Sequence, residues 1–242
     1  MSKAVILFSA GLDSTVSLAL ARETGVEVAQ GLCFDYGQRA AAAEKRQARV
    51  LAQFFGIRLK CIELPWLDEI TATALSRRSE EPLPEVEVAA LDSISSVTLD
   101  SAAKVWVPNR NGLMVNIAGA FADRFGYSEI LTGFNAEEAA TFPDNTPQFA
   151  EAITRSLAFS TQVQPRVRSY VQHLNKIEIL REAVRLKLPI QELWSCYAGG
   201  SRHCGHCESC SRLKRALTAG GHPEYLASLF GETGSVSDPD PA

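Results

Sequence analysis

The sequence predicts an α/β fold, a doubly wound parallel sheet followed by a small C-terminal helical module. Strand patterns alternate with helix patterns through the first third of the chain, at the spacing of right-handed crossover connections. Four of the six cysteines then crowd into one short stretch near the end, which is typical of a metal site. We therefore expect a sheet covered by helices on both faces, with a zinc-binding module attached to it.

Apolar periodicity and turn residues place the individual elements. Residues 4–8 form a continuous apolar run, as a strand buried on both faces requires. Gly25 and Gly56 follow the first two helical patterns as C-caps. The predicted strands cover residues 4–8, 26–34, 57–64 and 129–132. The predicted helices cover residues 16–21, 40–55, 112–125, 148–159, 176–186 and 211–217.

Two segments break this alternation. The stretch 76–103 contains Pro82, Pro84 and several glutamates without a clear period, so it is either a solvated insertion or a mobile lid over a site. The tail at 231–242 is expected to fray. The predicted organisation is therefore an α/β domain over 1–190, a cysteine-containing helical module over 191–230 and a flexible tail over 231–242.

Composition narrows the class of protein. The chain has 242 residues, 46% of them hydrophobic and 21% charged, which excludes a largely disordered protein. Its net charge of −4 offers no overall attraction for a polyanion, so nucleic acid is not the expected partner. No apolar run approaches the roughly 18 residues of a membrane span. We therefore expect a cytoplasmic protein whose cysteines stay reduced.

The connection between the first strand and the first helix is a candidate phosphate site. Its residues are Ser9, Ala10, Gly11, Leu12, Asp13 and Ser14. Open parallel sheets bind ligands at the carboxyl ends of their strands, and a helix N-terminus offers free amides. The loop is therefore suited to wrap a phosphate, with Asp13 orienting Mg²⁺. The alternative is that Asp13 and Ser14 only cap the helix. No G-x-x-x-x-G-K-[ST] or G-x-G-x-x-G loop follows this strand, which disfavours ordinary kinases and dehydrogenases.

The cysteine cluster has the spacing C-x7-C-x2-C-x2-C and consists of Cys196, Cys204, Cys207 and Cys210. Four thiolates close a tetrahedral zinc site and leave no open position for water, so such a zinc ion is structural. An iron–sulfur cluster or redox thiols are the alternatives, although the Cys-Pro that ends a ferredoxin motif is missing. His203 and His206 flank the cluster and are interpreted as bystanders.

Several motifs together resemble one enzyme family. The first loop is similar to the S-G-G-x-D-[ST] pyrophosphate loop of the PP-loop ATPases, with Ala10 in place of the first glycine. Residues 34–39 read F-D-Y-G-Q-R, residues 107–111 read V-P-N-R-N and residues 175–178 read N-K-I-E. With the cysteine motif, these segments resemble the 7-cyano-7-deazaguanine synthases of the queuosine pathway. The resemblance covers residues 3–217.

The resemblance implies an adenine nucleotide α-hydrolase-like fold, a homodimer and an ATP-dependent carbon–nitrogen ligase. ATP would adenylate the carboxylate of a 7-deazapurine, ammonia would form the amide, and a second adenylation would allow dehydration to the nitrile. The resemblance assigns ATP, pyrophosphate and Mg²⁺ to Ser9, Ala10, Gly11, Leu12, Asp13 and Ser14. It assigns catalytic roles to Asp13, Arg110 and Lys176. It assigns substrate contacts to Asp35, Gln38, Arg39, Gly133, Asn135, Glu138, Phe142 and Asp144.

The loop at 133–146 departs from the family pattern G-V-N-A-x-D-Y-S-G-Y-P-D-C-R. Glu138 replaces an aspartate, and Asn145 and Thr146 replace the Cys-Arg pair. Arginine is the natural bidentate partner of a carboxylate, so the acceptor half of the site looks altered. One alternative is a divergent relative that conjugates the activated deazaguanine to an amine on a partner protein in antiviral defence. Another is a tRNA-thiolating PP-loop enzyme, although Cys33 and Cys61 are interpreted as strand core.

Overall fold

The computed structural model describes residues 2–88, 91 and 96–231. A parallel five-stranded sheet has the order β3-β2-β1-β4-β5. The strands are β1 (Lys3–Leu7), β2 (Glu27–Asp35), β3 (Arg58–Glu63), β4 (Glu129–Thr132) and β5 (Arg166–Ser169). The helices are α1 (Leu12–Glu23), α2 (Ala41–Phe55), α3 (Pro65–Ile70), α4 (Ser96–Lys104), α5 (Arg110–Phe125), α6 (Ala136–Ala139), α7 (Pro147–Ser160), α8 (Lys176–Arg185), α9 (Glu208–Ala219) and α10 (Glu224–Phe230).

Both faces of the sheet are buried, which confirms the predicted doubly wound α/β class. Ile6 of β1 packs into an apolar cluster with residues of α1, α8 and α9. Its neighbour Val5 packs into a second cluster with residues of α5 and α7. Successive side chains of a strand point to opposite faces, so the two clusters are the two cores of a three-layered domain.

The strand order creates a crevice at the carboxyl ends of β1 and β4. From β1 the chain adds β2 and β3 on one side and β4 and β5 on the other. The connection after β1 therefore runs toward β2, and the connection after β4 runs toward β5. The two diverge at the carboxyl ends of the strands and leave a crevice between them. Such a switch point is where open α/β sheets bind ligands.

Local sequence accounts for most of the elements. Gly56 ends α2 in the left-handed conformation with φ of 61°. Asn175 caps α8, since its side chain accepts the N–H groups of Ile177 and Glu178, and Glu178 returns a bond to the backbone of Asn175. α8 therefore begins at Lys176, so the first helical residue is one of the predicted site residues.

The predictions missed β5 and the short helices. β5 is an edge strand in which Val167 is the one buried residue, so its sequence carries too little apolar signal. α4 lies within the stretch predicted to be irregular, and residues 89–90 and 92–95 of that stretch fall outside the described part. The predicted fraying tail falls outside it beyond Gly231. None of the helices in the described ranges is long and apolar enough to cross a membrane.

Candidate active site

A cavity of about 260 Å³ opens at the switch point of the sheet. Ten of the predicted site residues line it: Ser9, Gly11, Leu12, Asp13, Ser14, Gln38, Arg110, Gly133, Glu138 and Lys176. Six others lie around it without lining it: Ala10, Asp35, Arg39, Asn135, Phe142 and Asp144. Segments separated by more than a hundred residues thus meet in one place. The cavity is the candidate active site.

The first loop is shaped by hydrogen bonds to its own backbone. Thr15 Oγ1 and Ser14 Oγ donate to the Gly11 carbonyl at 2.8 and 3.2 Å, and Gly11 N donates to Ser9 Oγ at 3.3 Å. Gly11 is the N-cap of α1, so Asp13 and Ser14 lie within the first turn of the helix, at its second and third residues. The amides in the first turn of a helix have no intrahelical partners and point toward an anion.

Ala10 occupies a strained backbone position in this loop. It is buried and has φ of 64°, in the left-handed region that favours glycine. The family pattern has glycine there, so the chain keeps the loop conformation at a cost of roughly 1 kcal/mol. Strain held at a ligand loop is common at functional sites.

Asp13, Lys176 and Glu138 form a partly buried charged triad beside this loop. Lys176 Nζ donates to Glu138 Oε1 at 2.8 Å and to Asp13 Oδ2. Burial raises the pKa of Asp13 to about 6 against the lowering effect of Lys176. Burial alone would lower the pKa of Lys176, but the two carboxylates raise it above its ordinary value. The lysine is therefore charged and the pair of acids is held in place by it.

One oxygen of Asp13 is left without a partner. Asp13 Oδ1 is buried and accepts no hydrogen bond from any described residue. An orphaned buried carboxylate oxygen costs free energy unless a ligand or a cation satisfies it. Carboxylate oxygens are the ligands that Mg²⁺ prefers, so Asp13 fits the magnesium role.

Arg110 supplies a second cation to the wall of the cavity. It begins α5, and its Nη1 donates to Tyr36 Oη at 3.1 Å, with the guanidinium 5.7 Å from the ring centroid of Tyr36. Burial raises the pKa of Asp144, although the nearby Arg110 opposes that rise. Arg110 thus lies close to the altered loop in which the family pattern has its arginine.

Glu44 is a site residue that the sequence analysis missed. Gln38 Nε2 donates to Glu44 Oε2 at 2.7 Å and to the Phe34 carbonyl at 2.9 Å, while Tyr36 N donates to Gln38 Oε1. Burial raises the pKa of Glu44 to about 7. A signal was available, because Glu44 is the acidic residue in the first turn of the helix that follows the F-D-Y-G-Q-R motif.

Two predicted substrate residues have structural contacts instead of a place in the cavity wall. Asp35 accepts from Lys45 Nζ at 2.8 Å and from Arg77 Nη2 at 2.5 Å. Arg39 donates to the carbonyls of residues 76, 79 and 81. These bonds tie down the start of the stretch predicted as an insertion or a lid. None of the described residues of 76–103 lines the cavity.

Asn135 and Phe142 make packing and capping contacts that hold the altered loop. Asn135 is fully buried and caps α6, its Oδ1 accepting the Glu138 N–H at 2.9 Å. The ring of Phe142 stacks on Trp106 with centroids 6.3 Å apart. The Asn135 cap therefore holds the backbone of Glu138, the residue whose side chain accepts from Lys176.

The cysteine cluster can hold one metal ion. The four sulfurs of Cys196, Cys204, Cys207 and Cys210 lie within 4.8 Å of one another, and Cys204 Sγ is 3.8 Å from Cys210 Sγ. Two sulfurs on a tetrahedral zinc with bonds of about 2.3 Å are about 3.8 Å apart. A four-iron cluster does not fit between sulfurs this close.

Backbone amides complete the surroundings of the thiolates. Ala198 N and Cys204 N donate to Cys196 Sγ at 3.4 and 3.3 Å. His203 accepts from Ser195 N at 3.1 Å and His206 pairs with Glu85, so neither histidine belongs to the cluster. The same module also lines the cavity, through Trp194, Ser195, Tyr197 and Ser209, which the sequence analysis missed.

Fold and site together define a class of protein. An open parallel sheet whose switch point carries free helix amides and a partly buried Asp–Lys–Glu triad is typical of an α/β protein that binds an anionic ligand there. The model of the family described as Queuosine biosynthesis protein QueC matches residues 3–221. The chain therefore belongs to that family.

Curated relatives agree over nearly their whole length. The 7-cyano-7-deazaguanine synthase of Pelotomaculum thermopropionicum is 48% identical over 90% of this chain and 98% of that protein. Proteins of the same name from Desulforamulus reducens and Methanosarcina mazei are 50% and 43% identical, over 88% and 95% of this chain and 92% and 99% of theirs. Among solved structures, the U34-tRNA thiolase NcsA from Methanococcus maripaludis is 14% identical with a TM-score of 0.47, covering 94% of this chain and 70% of that chain; this likeness carries no functional argument.

Proposed function

We propose that this protein is an ATP-dependent 7-cyano-7-deazaguanine synthase. The observation that supports it most is the Asp13–Lys176–Glu138 triad beside the phosphate-type loop, in a chain that matches synthases over almost their full length. The substrate is 7-carboxy-7-deazaguanine, and the other reactants are ATP and ammonia. Conjugation to a partner protein and tRNA thiolation are not favoured by the relatives.

The reaction needs a carboxylate oxygen to become a leaving group. That oxygen attacks the α-phosphorus of ATP, and pyrophosphate departs. Ammonia then adds to the acyl carbon, loses a proton and expels AMP, which leaves the amide. The amide oxygen attacks the α-phosphorus of a second ATP and displaces a second pyrophosphate. Loss of AMP and of the two remaining N–H protons then gives the nitrile.

This chain's residues position the reactants and stabilise charge. Ser9, Gly11 and Ser14 and the first amides of α1 hold the pyrophosphate. Lys176 faces the negative charge that develops as pyrophosphate leaves. Mg²⁺, when bound at Asp13, neutralises phosphate charge.

The carboxylate of the substrate needs a cation beside it in the cavity. Arg110 is the residue that fits, because it lines the cavity and lies close enough to Asp144 to affect its pKa. Its planar guanidinium holds a carboxylate with two parallel hydrogen bonds. Since residue 146 is a threonine, this proposal gives the substrate carboxylate to Arg110, the arginine of the V-P-N-R-N segment. Gln38, Gly133 and Glu138 complete the substrate side, with Asn135, Phe142 and Asp144 supporting the loop.

The metal at the cysteine cluster is zinc in this proposal, with a structural role. Four thiolates leave no position for water, and sulfur ligands at this spacing suit Zn²⁺. A homodimer and a cytoplasmic location stay predictions.

The test is a reconstituted reaction with ATP, Mg²⁺, ammonia and 7-carboxy-7-deazaguanine. We expect AMP release and a nitrile product by mass spectrometry. AMP release without nitrile points to the conjugating relative, and its acceptor is then sought by intact mass of co-expressed partner proteins. Absence of substrate-dependent AMP release rejects adenylation of this substrate altogether.

Lys176→Met is the matched variant for this assay. It removes the charge between Asp13 and Glu138, so we expect AMP release to fall by about 10²- to 10³-fold, as for other lost transition-state contacts. Lys104→Met removes an exposed lysine and should leave the rate unchanged. Equal rates for both variants would exclude Lys176 from the chemistry.

A further inference from the structure

Glu137 connects the metal module to the candidate active site. Arg212 Nη1 and Arg215 Nη2, both on α9, donate to the same oxygen, Glu137 Oε1, at 2.5 and 2.6 Å. The side chains of Glu137, Arg212 and Arg215 are 14%, 11% and 10% exposed. The sequence analysis gave Glu137 no role, because the family pattern leaves that position open.

The other carboxylate oxygen of Glu137 contacts the start of α8. Glu137 Oε2 accepts the backbone N–H of Lys176 at 3.3 Å, at the first residue of α8. The next residue, Glu138, accepts from the Lys176 ammonium at 2.8 Å. One short segment therefore contacts both the backbone and the side chain of Lys176.

α6 is too short to hold this arrangement by itself. It has four residues, fewer than an isolated helix needs for stability. Its fixed points are the Asn135 cap and the ion pairs of Glu137. Buried, charge-assisted pairs of this kind fix geometry more strongly than exposed ones.

α9 is in turn fixed by the cysteine cluster. The helix begins directly after Cys207 and contains Cys210, two residues before Arg212. Glu208 accepts from Arg212 Nη2 at 2.6 Å and so orients its guanidinium. Two of the four cysteines, Cys207 and Cys210, thus lie at the start of the same helix that carries Arg212 and Arg215.

We propose that Glu137 is a positioning residue through which the metal-binding helix α9 fixes Glu138 and Lys176 in the active cavity. The catalytic consequence depends on the proposed function. The structural consequence does not, since it concerns how firmly α6 and the start of α8 are held.

Hydrogen–deuterium exchange of the full-length, metal-loaded protein tests the structural part. Glu137→Gln keeps the shape of the side chain and removes its charge, and Arg212→Gln removes the charge from the other side of the contact. Both should speed exchange in peptides spanning α6 and the start of α8, with β1 and β2 unchanged. Glu151→Gln, on the exposed face of α7, is the matched control and should change nothing.

Kinetics with zinc analysis test the catalytic part. For Glu137→Gln we expect kcat for AMP release to fall by about 10- to 100-fold, KM for ATP to stay within about twofold, and the zinc content to equal that of the unchanged protein. The double variant with Arg212→Gln should lose no more than Glu137→Gln alone, because the contact between Arg212 and Glu137 is already disrupted in that single variant.

Three results overturn the proposal. Unchanged exchange in α6 shows that the ion pairs do not hold it. Unchanged kcat shows that the triad does not depend on them. Loss of zinc from Glu137→Gln shows that Glu137 supports the module and not the loop. If the unchanged protein releases no AMP with 7-carboxy-7-deazaguanine, the proposed function fails and the exchange result still decides the structural claim.

Discussion

At the scale of single residues, the cavity holds two carboxyl groups that ionise less readily there than in water. Burial raises the pKa of Glu44 from 4.5 to about 7 and that of Asp13 from 3.8 to about 6. Each acid is therefore easier to ionise in the unfolded chain than in the folded one. A protein keeps such groups where ligand binding needs them, at a cost in stability.

Glu44 makes stability fall as pH rises. Below pH 4.5 the side chain is protonated in both states and contributes no difference. Between pH 4.5 and about 7 it ionises in the unfolded chain while the folded protein still binds the proton, so the free energy of unfolding decreases. Glu44→Gln removes this dependence. We expect the variant to be more stable than the unchanged protein by about 1–3 kcal/mol at pH 8, with little difference at pH 4.5.

Urea unfolding at the two pH values measures this effect. Glu151→Gln provides the control, since the side chain of Glu151 is exposed on α7 and the substitution should give the same small difference in stability at both pH values. Parallel pH dependence of Glu44→Gln and the unchanged protein would contradict a raised pKa at Glu44.

At the scale of elements, the β4–α6 connection approaches the phosphate loop closely. A Cβ atom on Gly133 would lie 2.8 Å from Ser14 N and 3.1 Å from the Asp13 carbonyl carbon, both backbone atoms in the first turn of α1. Neither can move without changing the loop. Residue 133 must therefore be glycine because the two connections pack so closely, whether or not it also contacts a substrate.

Gly133→Ala should therefore damage nucleotide binding. Displacement of the first turn of α1 misaligns its amides, and we expect KM for ATP to rise by about tenfold or more, with kcat also reduced. Steady-state kinetics at saturating deazaguanine measure both constants. At Gly200, an added Cβ would meet the Arg202 carbonyl oxygen at an ordinary 3.6 Å, so Gly200→Ala is the control. An unchanged KM in Gly133→Ala would show that the loop tolerates the shift.

At the scale of the whole molecule, the cysteine module is joined to the α/β domain by a shared core. Leu213 and Leu217 of α9 pack in the same cluster as Ile6 of β1, while Cys207 and Cys210 pack with Trp194. Unfolding of the module would expose this shared surface. The free energy of metal binding therefore supports the domain as well as the module.

Cys207→Ser tests that coupling. The substitution removes one of the four thiolates from a residue that is fully buried, so we expect loss of the bound metal and of most folded protein. Zinc analysis and the soluble yield measure the outcome. Cys61→Ser, at a partly exposed strand position outside the cluster, should keep the metal. A stable, active and metal-free Cys207→Ser protein would refute a structural metal.

The sequence was most informative where a signal is local. Apolar runs, capping glycines and the order of the motifs predicted the parallel sheet, most of the longer helices and the cysteine cluster. The sequence analysis did not predict β5, because this strand is stabilised by pairing with β4 and its own four residues do not reveal that pairing. Asp35 and Arg39 belong to a recognisable motif, yet their side chains bind Lys45, Arg77 and the start of the 76–103 stretch.

What the sequence by itself determined is the fold class and the clustering of the four cysteines, because residues close together in the chain encode both. The phosphate role of the first loop stays a prediction. Only the tertiary structure decided which distant side chains meet: Asp13 with Lys176, Glu44 with Gln38 beside Arg110, and Glu137 with α9. Those contacts depend on packing between elements far apart in the chain. Burial in that packing also sets the pKa of each acid, which no sequence spacing reports.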